Sequence, residues 1–427
     1  MEKSLLLPVS KTPEFSKPSA RPSPTGWLNG LRGVASVIVA LNHYLYGEFS
    51  SPWQGFGSSP ENHYLHQLPF LRVIWCGHAM PPIFFVISGY CACHSAIRLR
   101  DSQGLSAMVS SLSRSAFRRG LRLYLPVFFM AILAQVLFFC GLYNWRWAEV
   151  SLQPWHAPGT HLKYLATYLL DITNPVYPTD NGGLNLQFWV IPVEYAGSLT
   201  TYVTVLALAG TKRHLRPALL AALILPFIYR GNCHTYTFLS GLLIAELNLL
   251  RSTTAAGNPS RWLRLPRRAN TALFLLAWYL VGVPNNYAET PGFAVLARIE
   301  PSRWAGFAEH NWRAIAAVLL VYSMSNDARL QVLPNARVPQ YLSTISWEIY
   351  LSHMMLYRLW RNPIVDFVMS WFEYASEGGF RCGFVVSAVI MATIVHWAAE
   401  TLKVVNGRLV GIAKRIEAWA QDAIGES

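Results

Sequence analysis

An all-α polytopic membrane helix bundle, with about ten transmembrane helices and both termini cytosolic, is the fold this sequence predicts, on three observations. The first is composition. Of 427 residues, 53% are hydrophobic and only 13% charged, 16 are Trp, and the mean hydropathy is +0.27; such a chain is too apolar and too poor in charge for a soluble domain. The second is length: the uncharged stretches 123–145, 269–288 and 382–399 can each cross a hydrocarbon core. The third is the alternation of charge along the chain. Most of the 35 Lys and Arg fall in every other connection: Lys3 to Arg21, Arg98 to Arg122, Lys212 to Arg216, Arg251 to Arg268, Arg329 and Arg337, and Lys403 to Arg415. The intervening connections hold acids such as Glu48, Glu61, Glu149, Asp171, Asp180, Glu289 and Glu309. By the positive-inside rule the basic connections and both ends are cytosolic, and the number of spans is even.

The spans follow in order. The first, near 27–46, carries Arg32 and His43 within LNGLRGVASVIVALNHYLYG. The second, near 79–97, contains FFVISGY, and the third, near 121–143, starts behind a run of arginines. Spans near 187–209 and 234–250 flank a short one at 217–230; the first of them sits in a window free of charge except for Glu194. Spans near 269–284 and 313–325 precede one near 341–360 that holds Glu348, Ser352 and His353, and the last lies near 382–402. Because 217–230 and 313–325 are short, helices lying partly outside the membrane are also open at this stage.

Residues 1–26, rich in Ser, Pro and Lys and without an apolar core or a small-residue cleavage site, read as a disordered cytosolic leader. The transmembrane domain is then 27–402, and 403–427 a cytosolic tail. Three non-cytosolic connections, 47–78, 144–186 and 285–312, are long and rich in Trp, Tyr, His and Pro, a mixture suited to an interfacial cap. Within the second, HLKYLATYLLDI is apolar enough for a short interfacial helix. The six cysteines form no CxxC pair and lie in or beside spans, so free thiols are expected, with no metal and no disulfide. A net charge of +13 spread over alternate connections argues for a bilayer partner and against nucleic acid. No phosphate-loop or dinucleotide spacing is present.

Polar groups inside apolar spans mark a working interior. Arg32 and His43 are eleven residues apart, which places them on one helix face about 16 Å from each other along the axis. Histidine is the side chain best tuned for general-base chemistry near neutral pH. His43 is therefore the first candidate base, with Glu48 a turn beyond it as a possible orienting carboxylate. Glu194 is the second catalytic candidate; the sequence leaves open whether it orients His43, pairs with Arg32, binds a hydroxyl or makes a helix-to-helix hydrogen bond. His78, at the depth of His43, is expected at a substrate site, as are His353 and Glu348. Ser88 and Gly89 mark close helix packing or a ligand passage.

Arg32 and His43, GHAMPPIFFVISGY at 77–90, FRRGLRLYLPVF at 117–128, FWVIPVEYAGSL at 188–199 and ISWEIYLSHMMLY at 345–357 resemble, in order and spacing, the polytopic acyltransferase family 3 proteins. The resemblance runs from about residue 27 to 400, and the long Trp- and Pro-rich connection after the first span is similar to fungal members that act as O-acetyltransferases on natural products. It implies transfer of an acyl group, usually acetyl, from acyl-CoA to a hydroxyl. Acetyl-CoA or another acyl-CoA would be co-substrate, and no metal would take part. Arg119 and Arg122 match the motif arginines, so Arg118, Arg119 and Arg122, with Arg32 and Ser88 along the path, are expected to hold the donor. His43 would deprotonate the acceptor for direct attack or be acylated itself. The acceptor class expected is a small hydroxylated lipophile such as a terpenoid or polyketide, the membrane that of the endoplasmic reticulum or another endomembrane. A glycan or lipid acceptor and, from another class, a metabolite transporter are the alternatives.

Overall fold

The structure, a computed structural model, describes residues 25–144, 154–254, 265–372 and 376–425. The leader expected at 1–26 lies outside the described residues except for its last two. Helices dominate, and among the described residues there is no strand. In chain order they are α1 (Gly26–Leu45), α2 (Met80–Gln103), α3 (Leu105–Phe139), α4 (Pro158–Ile172), α5 (Val190–Ala207), α6 (Arg216–Arg230), α7 (Cys233–Thr254), α8 (Arg267–Val281), α9 (Ala294–Ile299), α10 (Ala308–Asn326), α11 (Arg337–Ser343), α12 (Ser346–Met369) and α13 (Glu377–Gly425).

A helix covers each expected span, and α4 covers the apolar part of the second long connection. By length and composition, three helical segments suffice to cross a membrane: Gly77–Gln103, Leu105–Phe139 and Gly378–Trp419. The remaining helices are shorter or carry polar residues on the faces they turn inward.

Three boundaries differ from the sequence expectation. The arginine run before the third span is itself helical, because Met108, Ser111 and Leu112 give that segment a buried face. It is separated from α2 only by Gly104, whose φ of +93° and extended ψ suit glycine alone. The span expected near 341–360 is divided, with α11 ending at Ser343 and α12 starting at Ser346. Finally, α13 runs unbroken through residue 403 to Gly425.

Packing explains how the interior is held. α2 lies along α7 at a close crossing: a Cβ on Gly89 would stand 2.1 Å from the Phe238 carbonyl oxygen, and one on Gly241 would stand 2.2 Å from that of Val86. At one end of the same pair Arg100 binds Glu246 through Nη2 at 2.8 and 3.0 Å, both side chains buried, and Asp101 joins Arg100 to Arg216. α1 packs against α2, α11 and α12, while α12 packs on α13 and α8 on α10. The basic start of α3 and the far end of α13 lie together, with Arg118 Nε 3.7 Å from Glu417.

Candidate active site

α1 presents Arg32 and His43, both half-buried, toward the interior of the bundle. Three tethers fix the half that carries His43. The Tyr357 hydroxyl donates to the Ala40 carbonyl at 3.0 Å, Arg361 Nε donates to the Tyr44 carbonyl at 3.0 Å, and the Tyr44 hydroxyl meets Ser387 at 2.7 Å. They lock α1 against α12 and α13.

Held there, His43 Nδ1 lies 2.9 Å from Nε2 of His353, with the ring planes within 8° of each other. His353 is fully buried, and its Nδ1 is 2.8 Å from the Ile349 carbonyl. A carbonyl only accepts, so that Nδ1 carries the hydrogen and, in the neutral ring, His353 Nε2 is an acceptor. His43 Nδ1–H must then be the donor between the rings, which leaves the lone pair on His43 Nε2. Two neutral imidazoles in this register form an oriented base. Tyr350 and Tyr357 pack on the His353 ring, and Tyr350 is itself held by reciprocal hydrogen bonds with Gln187.

His78 stands beside this pair and is an electrostatic neighbour of His43. The turn 77–79 reaches it because Gly77 is pressed on Asn42, where a Cβ would come within 2.4 Å, and Asn42 Nδ2 donates to the Trp75 carbonyl at 2.9 Å.

At the other end of α1, Arg32 stands against the Cys91 thiol, with Arg119 and Glu194 as further neighbours of that thiol. Arg119 Nη2 donates to Glu194, and Arg119 Nε donates to Ser198 Oγ at 3.0 Å. Two guanidiniums and one carboxylate leave this end net positive. Arg122 is exposed, and among the described residues it has no ion-pair partner; Arg118 is 45% exposed. The cationic end can therefore meet a phosphate-bearing group.

Several expected partners are replaced. Of the roles left open for Glu194 the structure shows a helix-to-helix contact, with Arg119 and not with His43 or Arg32, because α3 and α5 bring the two together and Ser198, one turn on, completes the contact. Glu48 binds Arg361 at 3.1 Å and does not orient His43. Glu348 turns to α13, where Asn406 Nδ2 donates to it at 2.8 Å, five residues and a different helix face away from the His353 ring. Ser88 is 6% exposed, and no described hydrogen bond uses its hydroxyl; its neighbour Gly89 makes the close crossing. Sequence spacing did not reveal His353 as the direct partner of His43, since 310 residues separate them. Cys91 and Ser198 had no sequence pattern to mark them.

The profile of the acyltransferase 3 family, described as an acyltransferase domain, matches residues 25–399. The chain is 28% identical to O-acetyltransferase PaAT-1 of Phomopsis amygdali over 373 residues, covering 77% of this chain and 71% of that protein. It is 23% identical to acyltransferase R4 of Phoma sp., covering 90% of this chain and 93% of the relative, and 23% identical to acyltransferase clz18 of Cochliobolus lunatus, covering 90% and 94%. No solved structure matches it.

Proposed function

Because this chain belongs to the acyltransferase 3 family, we propose that it is a multi-pass membrane enzyme that transfers an acetyl group from acetyl-CoA to a hydroxyl of a small lipophilic metabolite of terpenoid or polyketide type. The observation that carries the reading is the His43–His353 hydrogen bond, which leaves one imidazole nitrogen free and aimed by a partner that cannot rotate.

In this mechanism His43 Nε2 takes the hydroxyl proton as the acceptor oxygen bonds to the thioester carbonyl carbon. His353 Nε2 keeps hold of the His43 Nδ1–H and so stabilises the imidazolium as it forms. Collapse of the tetrahedral oxyanion breaks the C–S bond, and the proton on His43 passes to the departing thiolate. The products are the ester and the free thiol, and the pair returns to neutrality with no net proton released. The nucleotide end of the donor would meet Arg32, Arg118, Arg119 and Arg122, with its arm running along the α1 face. The roughly 16 Å of helix rise between Arg32 and His43 is the length such an arm must cover. This donor end would lie on the cytosolic side of the endoplasmic reticulum or another endomembrane.

Membranes holding the full chain, incubated with labelled acetyl-CoA and a panel of hydroxylated terpenoids and polyketides, test the reading. His43→Ala should bring transfer down to background at unchanged expression; near-normal turnover would remove the base from this position. Arg122→Ala, on an exposed side chain, should raise the KM for acetyl-CoA and leave kcat close to the parent value.

A further inference from the structure

Three residues of α12 at four-residue intervals, His353, Tyr357 and Arg361, meet the last turns of α1. That spacing makes one stripe along a helix. His353 meets the His43 side chain, whereas Tyr357 and Arg361 hold backbone carbonyls, those of Ala40 and Tyr44, each at 3.0 Å. Arg361 is also committed to Glu48 at 3.1 Å and lies over the Tyr44 ring, so it fastens the very end of α1.

Tyr357 is placed differently, because it touches both sides of the imidazole pair. Its ring centroid is 5.7 Å from that of His353, edge-on at 71°, and its hydroxyl donates to a carbonyl three residues before His43, on the same face of α1. Helical side chains lean toward the start of their helix, so from one turn beyond His353 the phenol leans back past the imidazole to reach α1. Tyr350, on another side of the His353 ring, turns its hydroxyl to the Gln187 carbonyl instead. The Tyr44 ring closes on Tyr357 edge-on at 5.5 Å, and both tyrosines are buried. Water does not compete for the Tyr357 hydrogen bond there.

We propose that Tyr357 is a positioning residue for the base: a strut that sets the separation of α1 from the His353 ring, and with it the 2.9 Å between His43 Nδ1 and His353 Nε2. This role rests on the acyl-transfer reading. A hydrogen bond between two ring nitrogens weakens once they part beyond about 3.2 Å, so a small slip of α1 along α12 releases the His43 ring to turn. Tyr357→Phe isolates that effect. It keeps the ring contacts, and the Ala40 carbonyl, inside α1, keeps its helix bond, so no backbone group is stranded. What is lost is the tie between the two helices beside the imidazole pair.

The test sets Tyr357→Phe against His353→Ala, each alone and the two combined, in membranes holding the full chain. Tyr357→Phe should lower kcat for acetyl transfer about tenfold and leave the KM for acetyl-CoA within about twofold of the parent. In the His353→Ala background the same change should alter kcat by less than about twofold, because the bond it serves is already gone. A second readout needs no turnover. With isotopically labelled histidine nitrogens, magnetic resonance identifies the paired imidazoles as the signals that His353→Ala removes or moves. In Tyr357→Phe those signals should move toward the positions of free imidazole while the other histidines stay in place. An unchanged kcat in Tyr357→Phe, costs that multiply in the double variant, paired signals identical in parent and Tyr357→Phe, or a change spread over all the histidines overturns the proposal. Absence of acetyl transfer by the parent protein would instead count against the acyl-transfer reading, and the imidazole signals would still decide the strut.

Discussion

A chain of two hydrogen bonds sets the chemistry of His43. The Ile349 carbonyl fixes His353, His353 fixes His43, and the free Nε2 follows. Removing the middle member leaves His43 with both tautomers and a rotating ring. His353→Ala should therefore lower kcat for acetyl transfer by on the order of 10²-fold while changing the acetyl-CoA KM little, as steady-state rates in membranes would read. Of this site, His43 was legible in the sequence because a histidine inside an apolar span is costly and stands out. Its partner was not, since a helix that arrives 310 residues later brings it. A second residue makes a pH prediction. Burial, then the nearby Arg72 and Arg381 cations, hold the His66 imidazole below its usual value of 6.5. A group depressed in the folded state contributes stability that is present above its unfolded value and is lost as the pH falls through its folded one. The Tm of the parent in detergent should therefore fall more steeply between pH 7 and pH 5 than that of His66→Gln.

Helix pairing depends on small residues and one buried ion pair. At the α2–α7 crossing, Gly89→Ala would push a methyl into the Phe238 backbone, which cannot swing aside. We expect a loss of about 1–3 kcal/mol in unfolding free energy, seen as a lower Tm with the catalytic pair intact. Arg100→Ala would strand the Glu246 carboxylate at 3% exposure, a larger cost of about 3–5 kcal/mol. The paired change Arg100→Met with Glu246→Leu should recover most of that loss, because Glu246 is then no longer a buried carboxylate without its partner and Asp101 keeps Arg216. Elements were legible as apolar stretches of the right length. Their ends were not: the helical arginine run before Leu123 and the break between α11 and α12 depend on which side chains meet a neighbour, and hydropathy along the chain does not carry that.

At the scale of the whole molecule, the start of α1 and the far half of α13 meet the basic face. Arg32 near the start of α1 neighbours the same thiol as Arg119 of α3, and Glu417 of α13 reaches Arg118. Both termini are accordingly expected on the cytosolic side. Epitope tags at either end should be cleaved by protease added to sealed microsomes, and a tag in the 285–312 connection should be protected until detergent is added. Protection of one terminal tag alone would mean an odd number of crossings. The sequence by itself determined that this is an apolar, all-helical chain of the acyltransferase 3 family with His43 on the inward face of its first helix, because composition, apolar length and helical spacing are local properties. Only the tertiary structure decided which groups pair: His353 with His43, Arg119 with Glu194, Glu48 with Arg361. Hydrogen bonds and ion pairs act over a few ångströms of space, and which residues come within that range is set by how the helices pack, whatever their distance along the chain.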